Sequence, residues 1–180
     1  MIQIESKIIA VAILLLLALI SDFATYKIKN TITYGFMLVG FVSNSITKGL
    51  EGIIFSLQGI LLPVLCLIVL YMLGTMGAGD IKLFSSIGAI MGAGFVLGSI
   101  VFSFLFGGVI AATLMLIRRN GAERLKYLGT YIKSCIMSMT VTRYADFGIP
   151  RDGSRFHFSV AVASGTVAAI MVGRLGFILF

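Results

Sequence analysis

Two aspartates, Asp22 and Asp80, each lie directly beside a long apolar run in a chain that has only seven acidic residues. A carboxylate is costly to bury among apolar side chains, so such positions are candidates for function. Two carboxylates in one poorly hydrated site share a single proton, because both cannot ionise cheaply. The ionised member can take a proton from water, while the protonated member polarises a peptide carbonyl and later protonates the leaving nitrogen. Such a pair would hydrolyse peptide bonds; because it titrates as a unit, the aspartate that holds the proton stays open.

The residues before and after Asp80 suit this chemistry. They read Gly77-Ala78-Gly79-Asp80-Ile81-Lys82. Gly77 and Gly79 permit positive φ and carry no side chain, so an extended substrate is expected to approach the backbone beside the carboxylate. Lys82 has two interpretations. It anchors the helix at lipid headgroups, which we favour, or it biases the electrostatic field at Asp80.

A purely structural role for both aspartates is the alternative. Aspartate is a preferred helix N-cap, and a Gly-x-Gly-Asp sequence before an apolar run is what an ordinary cap looks like. Asp22 would likewise bridge a helix end near Lys27 or Lys29. Two such aspartates on one side of a membrane, in a chain this poor in acids, favour the functional interpretation.

The composition indicates a membrane protein. Hydrophobic residues make up 59% of the chain and charged residues only 12%, whereas soluble domains carry about 25% charged residues. The net charge of +7 does not indicate nucleic-acid binding, because the basic residues lie mostly between apolar runs, where they set topology and contact anionic lipid. Cys66, Cys135 and His157 are isolated in the sequence, so we expect no metal site and no other cofactor.

The aspartates must be positioned by helices. The apolar runs predict an all-α, polytopic membrane protein with about six transmembrane helices, over residues 8–21, 34–47, 53–73, 81–91, 96–117 and 158–172. The first helix is expected to extend back through Glu5 and Lys7, whereas the end of the fourth stays open. With the N-terminus outside, 11 of the 14 lysines and arginines fall on the cytoplasmic side, as the positive-inside rule requires. Two crossings separate Asp22 from Asp80, so both are expected at cytoplasmic helix ends.

Residues 1–180 are expected to form a single membrane-embedded domain. The first apolar segment shows no small-x-small cleavage site and is interpreted as a retained helix. The polar connection over 118–157 is predicted to be a cytoplasmic loop, with an amphipathic piece near 125–139 on the membrane surface. Small residues spaced by four predict close helix contacts. They are Gly88 and Gly92, Gly94 and Gly98, and the series Ala161, Gly165, Ala169 and Gly173.

The segment from Gly74 to Gly92 closely resembles a motif of the prepilin peptidases, also called type IV leader peptidases. That family usually reads Gly-x-Gly-Asp, then Val or Ile, Lys and Leu, and continues into a helix of small residues. Here the motif stands at 77–80 and is followed by Ile81-Lys82-Leu83. The match is long and much more specific than a bare Gly-x-Gly-Asp.

A second signature of that family is an early aspartate followed by Ile-Pro-Asn. Asp22 is followed by Ile28-Lys29-Asn30, so a lysine stands where the family has proline. Near the last helix the family tends to carry a Pro-aromatic-Gly element, and this chain has Arg155-Phe156-His157-Phe158 instead. That departure is expected to alter loop geometry, and we interpret His157 as an interfacial structural residue rather than a third catalytic group.

The resemblance implies a membrane aspartyl endopeptidase with Asp22 and Asp80 as its catalytic pair. The motif residues expected to support substrate binding are Gly77, Gly79, Lys82 and Asn30. The implied substrates are precursors of pilins, pilin-like subunits or archaellins, cut at the cytoplasmic face of a prokaryotic cell membrane just before an apolar helix. Members that also N-methylate the product carry an added segment after the first helix, often with paired cysteines. The short, cysteine-free connection here predicts a peptidase-only form.

Three alternatives stay open. Presenilin-type proteases share Gly-x-Gly-Asp, but their first aspartate typically lies in a Tyr-Asp pair, unlike Ser21-Asp22 here. A small proton- or cation-coupled transporter would use the same aspartates as relay carboxylates, although no inverted repeat or matched pair of broken helices is visible. A non-enzymatic membrane assembly subunit would use the glycines for packing and the aspartates as caps. Asp→Asn changes discriminate, because a cap tolerates asparagine.

Overall fold

The described residues, 2–118 and 157–174 of this computed structural model, form α-helices joined by short connections. The helices are α1 (Ile2–Thr25), α2 (Asn30–Lys48), α3 (Leu50–Met72), α4 (Ala78–Met91), α5 (Ala93–Arg118) and α6 (Phe158–Arg174). The all-α class is therefore confirmed. The amphipathic piece predicted near 125–139 lies outside the described residues, as does most of the 118–157 connection.

Each predicted helix is present, and most extend past the predicted ends. α1 begins at Ile2 and so includes Glu5 and Lys7, as expected. The end of α4, which the sequence left open, is at Met91. Gly92 follows with a φ of 92°, a left-handed conformation that glycine adopts readily and that ends a helix. Its α-hydrogen faces the Phe55 ring, which a β-carbon at this position would overlap.

Three of the described helices are long and apolar enough to cross a bilayer. These spans are Ile4–Thr25, Leu50–Met72 and Ala93–Ile117. Between 17% and 28% of their most apolar windows is buried within the protein, so most of this apolar surface faces outward. Such a surface is stable in lipid and not in water. The protein is therefore a polytopic membrane protein.

The short helix α4 lies at the centre of the fold. It contacts each of the other five helices of the described part, and every residue from Leu83 to Ile90 is buried. Its hydroxyls are satisfied by neighbouring backbone: Ser85 donates to the carbonyl of Ile60 at 3.0 Å, and Ser86 donates to that of Thr33 at 2.8 Å. A helix that is apolar all round must be buried on all sides, and these bonds fix α4 against α2 and α3.

Small residues allow the helices to approach closely at several of the predicted positions. Gly88 meets Gly59 of α3 backbone to backbone, and Gly165 of α6 packs on Ser103 of α5. Ala161 and Ala169 are buried as well. Gly173 is exposed and has no described atom within 4 Å of the place where a β-carbon would stand, so the described residues show no close contact there.

Candidate active site

Asp22 lies in the last turn of α1, where its carboxylate is held by α6. The hydroxyl of Ser159 donates to Asp22 Oδ2 at 2.5 Å. Nδ1 of His157 lies 3.2 Å from the same oxygen, within ion-pair distance but without hydrogen-bond geometry. The side chain of Asp22 is only 12% exposed. Among the described residues, Asp22 thus contacts Ser159 and His157, whereas the structural alternative placed it near Lys27 or Lys29.

Asp80 lies in the first turn of α4, three residues after the N-cap. That N-cap is Gly77, and no side chain caps it, so Asp80 does not hold the capping position of the structural alternative. A carboxylate in the first turn is nevertheless favoured by the helix dipole. The backbone amide of Asp80 donates to the carbonyl of Gly77 at 3.2 Å, which closes this turn. The Asp80 carboxylate in turn accepts a hydrogen bond from the backbone of Gly77.

The glycines before Asp80 provide space rather than unusual backbone. Gly77 has a φ of −79°, and Gly79 is not among the glycines with positive φ, so neither uses the positive φ that glycine permits. A β-carbon on Gly77 would lie 3.2 Å from Asp80 Oδ2, so a side chain there would crowd the carboxylate. A β-carbon on Gly79 would lie 3.4 Å from that of Ile28, an ordinary contact distance.

One cavity of about 600 Å³ brings the predicted site residues together. Asp22 and Asp80 both line it, and each lies within the electrostatic field of the other. The same cavity is lined by the other residues singled out from the sequence, Gly77, Gly79, Lys82 and Asn30. The α1–α2 connection forms one wall and the start of α4 forms the facing wall.

Lys82 and Asn30 connect those two walls. Nζ of Lys82 donates to Asn30 Oδ1 at 2.9 Å and lies 5.1 Å from the centroid of the Tyr34 ring. Asn30 is the first residue of α2, and Lys82 lies one turn into α4. The lysine therefore holds the beginnings of two helices together beside Asp80, a contact that neither sequence interpretation included.

The connection from Thr25 to Asn30 is fixed by Ser21, which is buried next to Asp22. The Ser21 hydroxyl donates to the carbonyl of Lys27 at 2.9 Å and accepts from the backbone amide of Lys29 at 3.2 Å. Lys29 has a φ of −65°, which is the value that proline imposes. The lysine that replaces the family's proline therefore keeps proline-like backbone geometry and adds an amide donor.

His157 and Ser159 were not predicted as site residues. The His157 ring stacks on Tyr26, with centroids 4.6 Å apart and planes at 19°, and lies 4.6 Å from the centroid of Phe23. Ser159 is buried in the first turn of α6. The available signal was local: a histidine and a serine stand where the polar connection enters the last apolar run. Nothing in that pattern indicates contact with a residue of α1.

A second cavity lies along α2. Its volume is about 560 Å³, and it is lined by Leu38, Val39, Val42, Ser43, Ile46 and Thr47. None of these side chains titrates near neutral pH, so they cannot supply acid–base chemistry. Within residues 2–118 and 157–174, no three His, Cys, Asp or Glu side chains form a group that could hold a metal ion.

The arrangement offers two carboxyl groups that line one cavity. The family model of the type IV leader peptidase family matches residues 9–112. No curated protein and no solved structure matches the chain. The family match covers more than half of the sequence, includes both aspartates and ends before α6. This chain is therefore a membrane protease that belongs to the type IV leader peptidase family.

Proposed function

We propose that this protein is an aspartyl endopeptidase that removes the short leader of type IV prepilins or related precursors at the cytoplasmic face of a prokaryotic cell membrane. Asp22 and Asp80 act as its acid–base pair. The observation that carries the proposal is that both carboxylates line the same cavity, although they are 58 positions apart in the chain. Family membership supports the reaction class.

The chemistry needs one proton shared between the two carboxyl groups. The ionised carboxylate removes a proton from a water molecule, whose oxygen attacks the scissile carbonyl carbon. The protonated carboxyl group donates its proton to the carbonyl oxygen, which gives a neutral gem-diol. When the C–N bond breaks, the first carboxyl group, and not the second as outlined from the sequence, protonates the leaving nitrogen. The second carboxyl group takes back a proton from the gem-diol. Both carboxyl groups then regain their starting states, so no metal or covalent intermediate is needed.

The walls of the cavity suit a peptide that lies beside a membrane helix. The wall at Asp80 is formed by Gly77, Ala78 and Gly79. Two of these residues have no side chain and the third has only a methyl group, so they leave room for the extended backbone of a substrate. Lys27 and Lys29 on the facing wall are exposed, and lysines concentrate on the cytoplasmic side of membrane proteins. A precursor whose apolar helix remains in lipid would have the junction between its leader and its helix at the cytoplasmic membrane surface, beside this cavity.

The test is cleavage of a model prepilin in membranes by the full-length protein and three variants. Asp22→Asn and Asp80→Asn keep shape and polarity but cannot share a proton, so each is expected to lower cleavage at least about 1,000-fold. Glu51→Gln is the matched control, because Glu51 is an exposed acid in the first turn of α3. It is expected to cleave at the wild-type rate. Membrane abundance is measured for each variant.

Retained cleavage by either asparagine variant, at normal abundance, would end the two-aspartate mechanism. Failure of the wild type on pilin, pilin-like and archaellin precursors alike would end the proposed substrate class. In that case the wild type is tested for proton-coupled uptake in proteoliposomes. Uptake that is lost in Asp22→Asn would support the transporter alternative. If the wild type shows no uptake, the non-enzymatic assembly subunit is the alternative that remains.

A further inference from the structure

The two aspartates differ in their surroundings, and the difference comes from α6. Asp22 Oδ2 accepts a hydrogen bond from the Ser159 hydroxyl, whose serine is buried in the first turn of that helix. A hydroxyl that donates to a carboxylate stabilises its charged form. Because the hydrogen bond uses Oδ2, Oδ1 is left as the second oxygen of the carboxylate and can accept a proton from water in the cavity.

His157 acts on the same carboxylate oxygen. Its Nδ1 lies 3.2 Å from Asp22 Oδ2, and its ring is held by Phe23 and Tyr26. When the imidazole is protonated, its charge further stabilises the Asp22 carboxylate. The contact places the beginning of α6 against the end of α1, so the positive end of one helix dipole offsets the negative end of the other.

Asp80 is affected in the opposite direction. Burial disfavours the charged form of Asp80 most strongly, and a negative charge on Asp22 adds to that effect. A hydrogen bond from the backbone of Gly77 and the beginning of α4 act in the opposite sense and favour a charged Asp80. The beginning of α6 acts on Asp22 as the beginning of α4 acts on Asp80, but the end of α1 offsets it, so the helix dipoles do not favour Asp22. The Ser159 hydroxyl and His157 are therefore the groups that stabilise a charged Asp22 in particular.

We infer that Ser159 is a positioning residue that keeps Asp22 ionised as the general base and leaves the shared proton on Asp80 as the general acid. The inference rests on the proposed peptidase function and extends it to a residue outside the region that the family model matches, 9–112. His157 has a supporting role through the same oxygen. The other titratable side chains around the cavity are Tyr26, Lys27, Lys29, Asp80 and Lys82.

The experiment measures kcat and KM for a model prepilin between pH 4 and 9, with the full-length protein in lipid nanodiscs. Ser159→Ala removes the donor, whereas Ser159→Thr retains a hydroxyl. Ser164→Ala is the matched control, because Ser164 lies on the same helix and its hydroxyl donates to the carbonyl of Val160 at 2.9 Å. His157→Asn places a polar group near the position of Nδ1 but cannot become a cation.

The acidic limb of the rate profile reports protonation of the general base. Loss of the donor makes that base easier to protonate, so Ser159→Ala is expected to shift the acidic limb upward by about one pH unit. Its kcat is expected to fall about tenfold on the acidic limb, with little change at neutral pH and little change in KM. Ser159→Thr and Ser164→Ala are expected to follow the wild type, and His157→Asn is expected to keep an acidic limb.

Different results overturn different statements. If the wild type cleaves and Ser159→Ala keeps the wild-type acidic limb, the inference fails and the proposed function stands. Loss of the acidic limb in His157→Asn would assign that limb to the histidine and also overturn the inference. If Ser159→Ala and Ser159→Thr lose activity equally, the hydroxyl is not the relevant group. If the wild type cleaves no precursor, the proposed function fails and this inference fails with it.

Discussion

Gly59 of α3 and Gly88 of α4 meet backbone to backbone: a β-carbon on either residue would overlap the carbonyl oxygen of the other. Gly88 lies eight residues after Asp80, about 12 Å along the helix at 1.5 Å per residue. The contact therefore fixes how deeply α4 enters between its neighbours. The same contact sets the position of Asp80 at the far end of the helix.

Gly88→Ala is expected to push α3 and α4 apart. Overpacking of this kind costs about 1–3 kcal/mol, and here backbone must move because no side chain is available to rotate away. We expect a lower melting temperature in detergent and reduced cleavage, because Asp80 moves with α4. The matched control is Gly108→Ala in α5, where no atom of the described residues lies within 4 Å of the added methyl group. Since alanine favours a helix over glycine by about 1 kcal/mol, that control should melt at the wild-type temperature or higher.

An equal effect of Gly88→Ala and Gly108→Ala would show that helix propensity, and not the α3–α4 contact, decides the outcome. Unchanged melting of Gly88→Ala would contradict the packing argument directly.

The sequence predicted the helices well and singled out the two aspartates as candidates, because both leave local signals. An apolar run indicates a helix in a membrane, and a carboxylate beside such a run is conspicuous. Hydropathy does not reveal whether lipid or protein covers the run, so the central position of α4 could not be read from it. α4 is shorter than the three candidate spans, and only the contacts with its neighbours identify it as the core.

The site was predicted in part. From the sequence, Asp22 and Asp80 are expected at helix ends. Because an even number of predicted membrane crossings separates them, they are expected on the same side of the membrane. The Ser159 contact could not be predicted, because it joins residues 137 positions apart and a single serine at a helix start is ordinary. Of the two reasons given for Gly77, backbone freedom and the missing side chain, the second agrees with the narrow space beside Asp80 Oδ2.

Asn44 joins three helices at the end of the fold opposite the cavity. Its Nδ2 donates to Ser56 Oγ at 3.0 Å and to the carbonyl of Ala89 at 2.9 Å. Asn44→Ala is expected to lower the free energy of unfolding by about 1 kcal/mol, a typical value for a polar contact between membrane helices. A larger loss is not expected, because the buried Oδ1 of Asn44 lacks a described hydrogen-bond partner.

The measurement is thermal unfolding in detergent, paired with cleavage at a temperature where both proteins are folded. Ser43→Ala is the control, since Ser43 is the preceding residue and is exposed. Cleavage by Asn44→Ala should equal that of the wild type, because Ala89 lies about 13 Å along α4 from Asp80 at 1.5 Å per residue. A selective loss of cleavage without a loss of stability would show that this end of the fold is coupled to the site.

Lys29→Pro tests whether the connection tolerates the residue usual in the family. The φ of Lys29 is already −65°, so proline fits the folded backbone. Because proline lowers the conformational entropy of the unfolded chain, it should stabilise the folded state by about 0.4–1 kcal/mol. Loss of the hydrogen bond from the backbone amide of Lys29 to Ser21 Oγ should lower the free energy of unfolding by about 0.5–1.5 kcal/mol. The two effects nearly cancel, so melting and cleavage should stay close to the wild type. Ser21→Ala loses both hydroxyl bonds without that compensation and should melt lower. A large loss of folded protein in Lys29→Pro alone would mean that the hydrogen bond from the Lys29 amide is essential for folding.

Asn30 and Lys82 should act as one unit in cleavage. Their side chains share a 2.9 Å hydrogen bond that joins the first turns of α2 and α4, so removing either partner already removes the contact. We expect Asn30→Ala, Lys82→Met and the double variant to lower kcat/KM by similar factors, with a coupling free energy of about 0.5–1 kcal/mol in the double-mutant cycle. Lys27→Met is the control for loss of one positive charge at the cavity, and it should not couple to Asn30→Ala. Additive effects of Asn30→Ala and Lys82→Met would contradict the shared contact. An effect of Lys82→Met that far exceeds that of Asn30→Ala would instead assign the lysine an electrostatic role at Asp80.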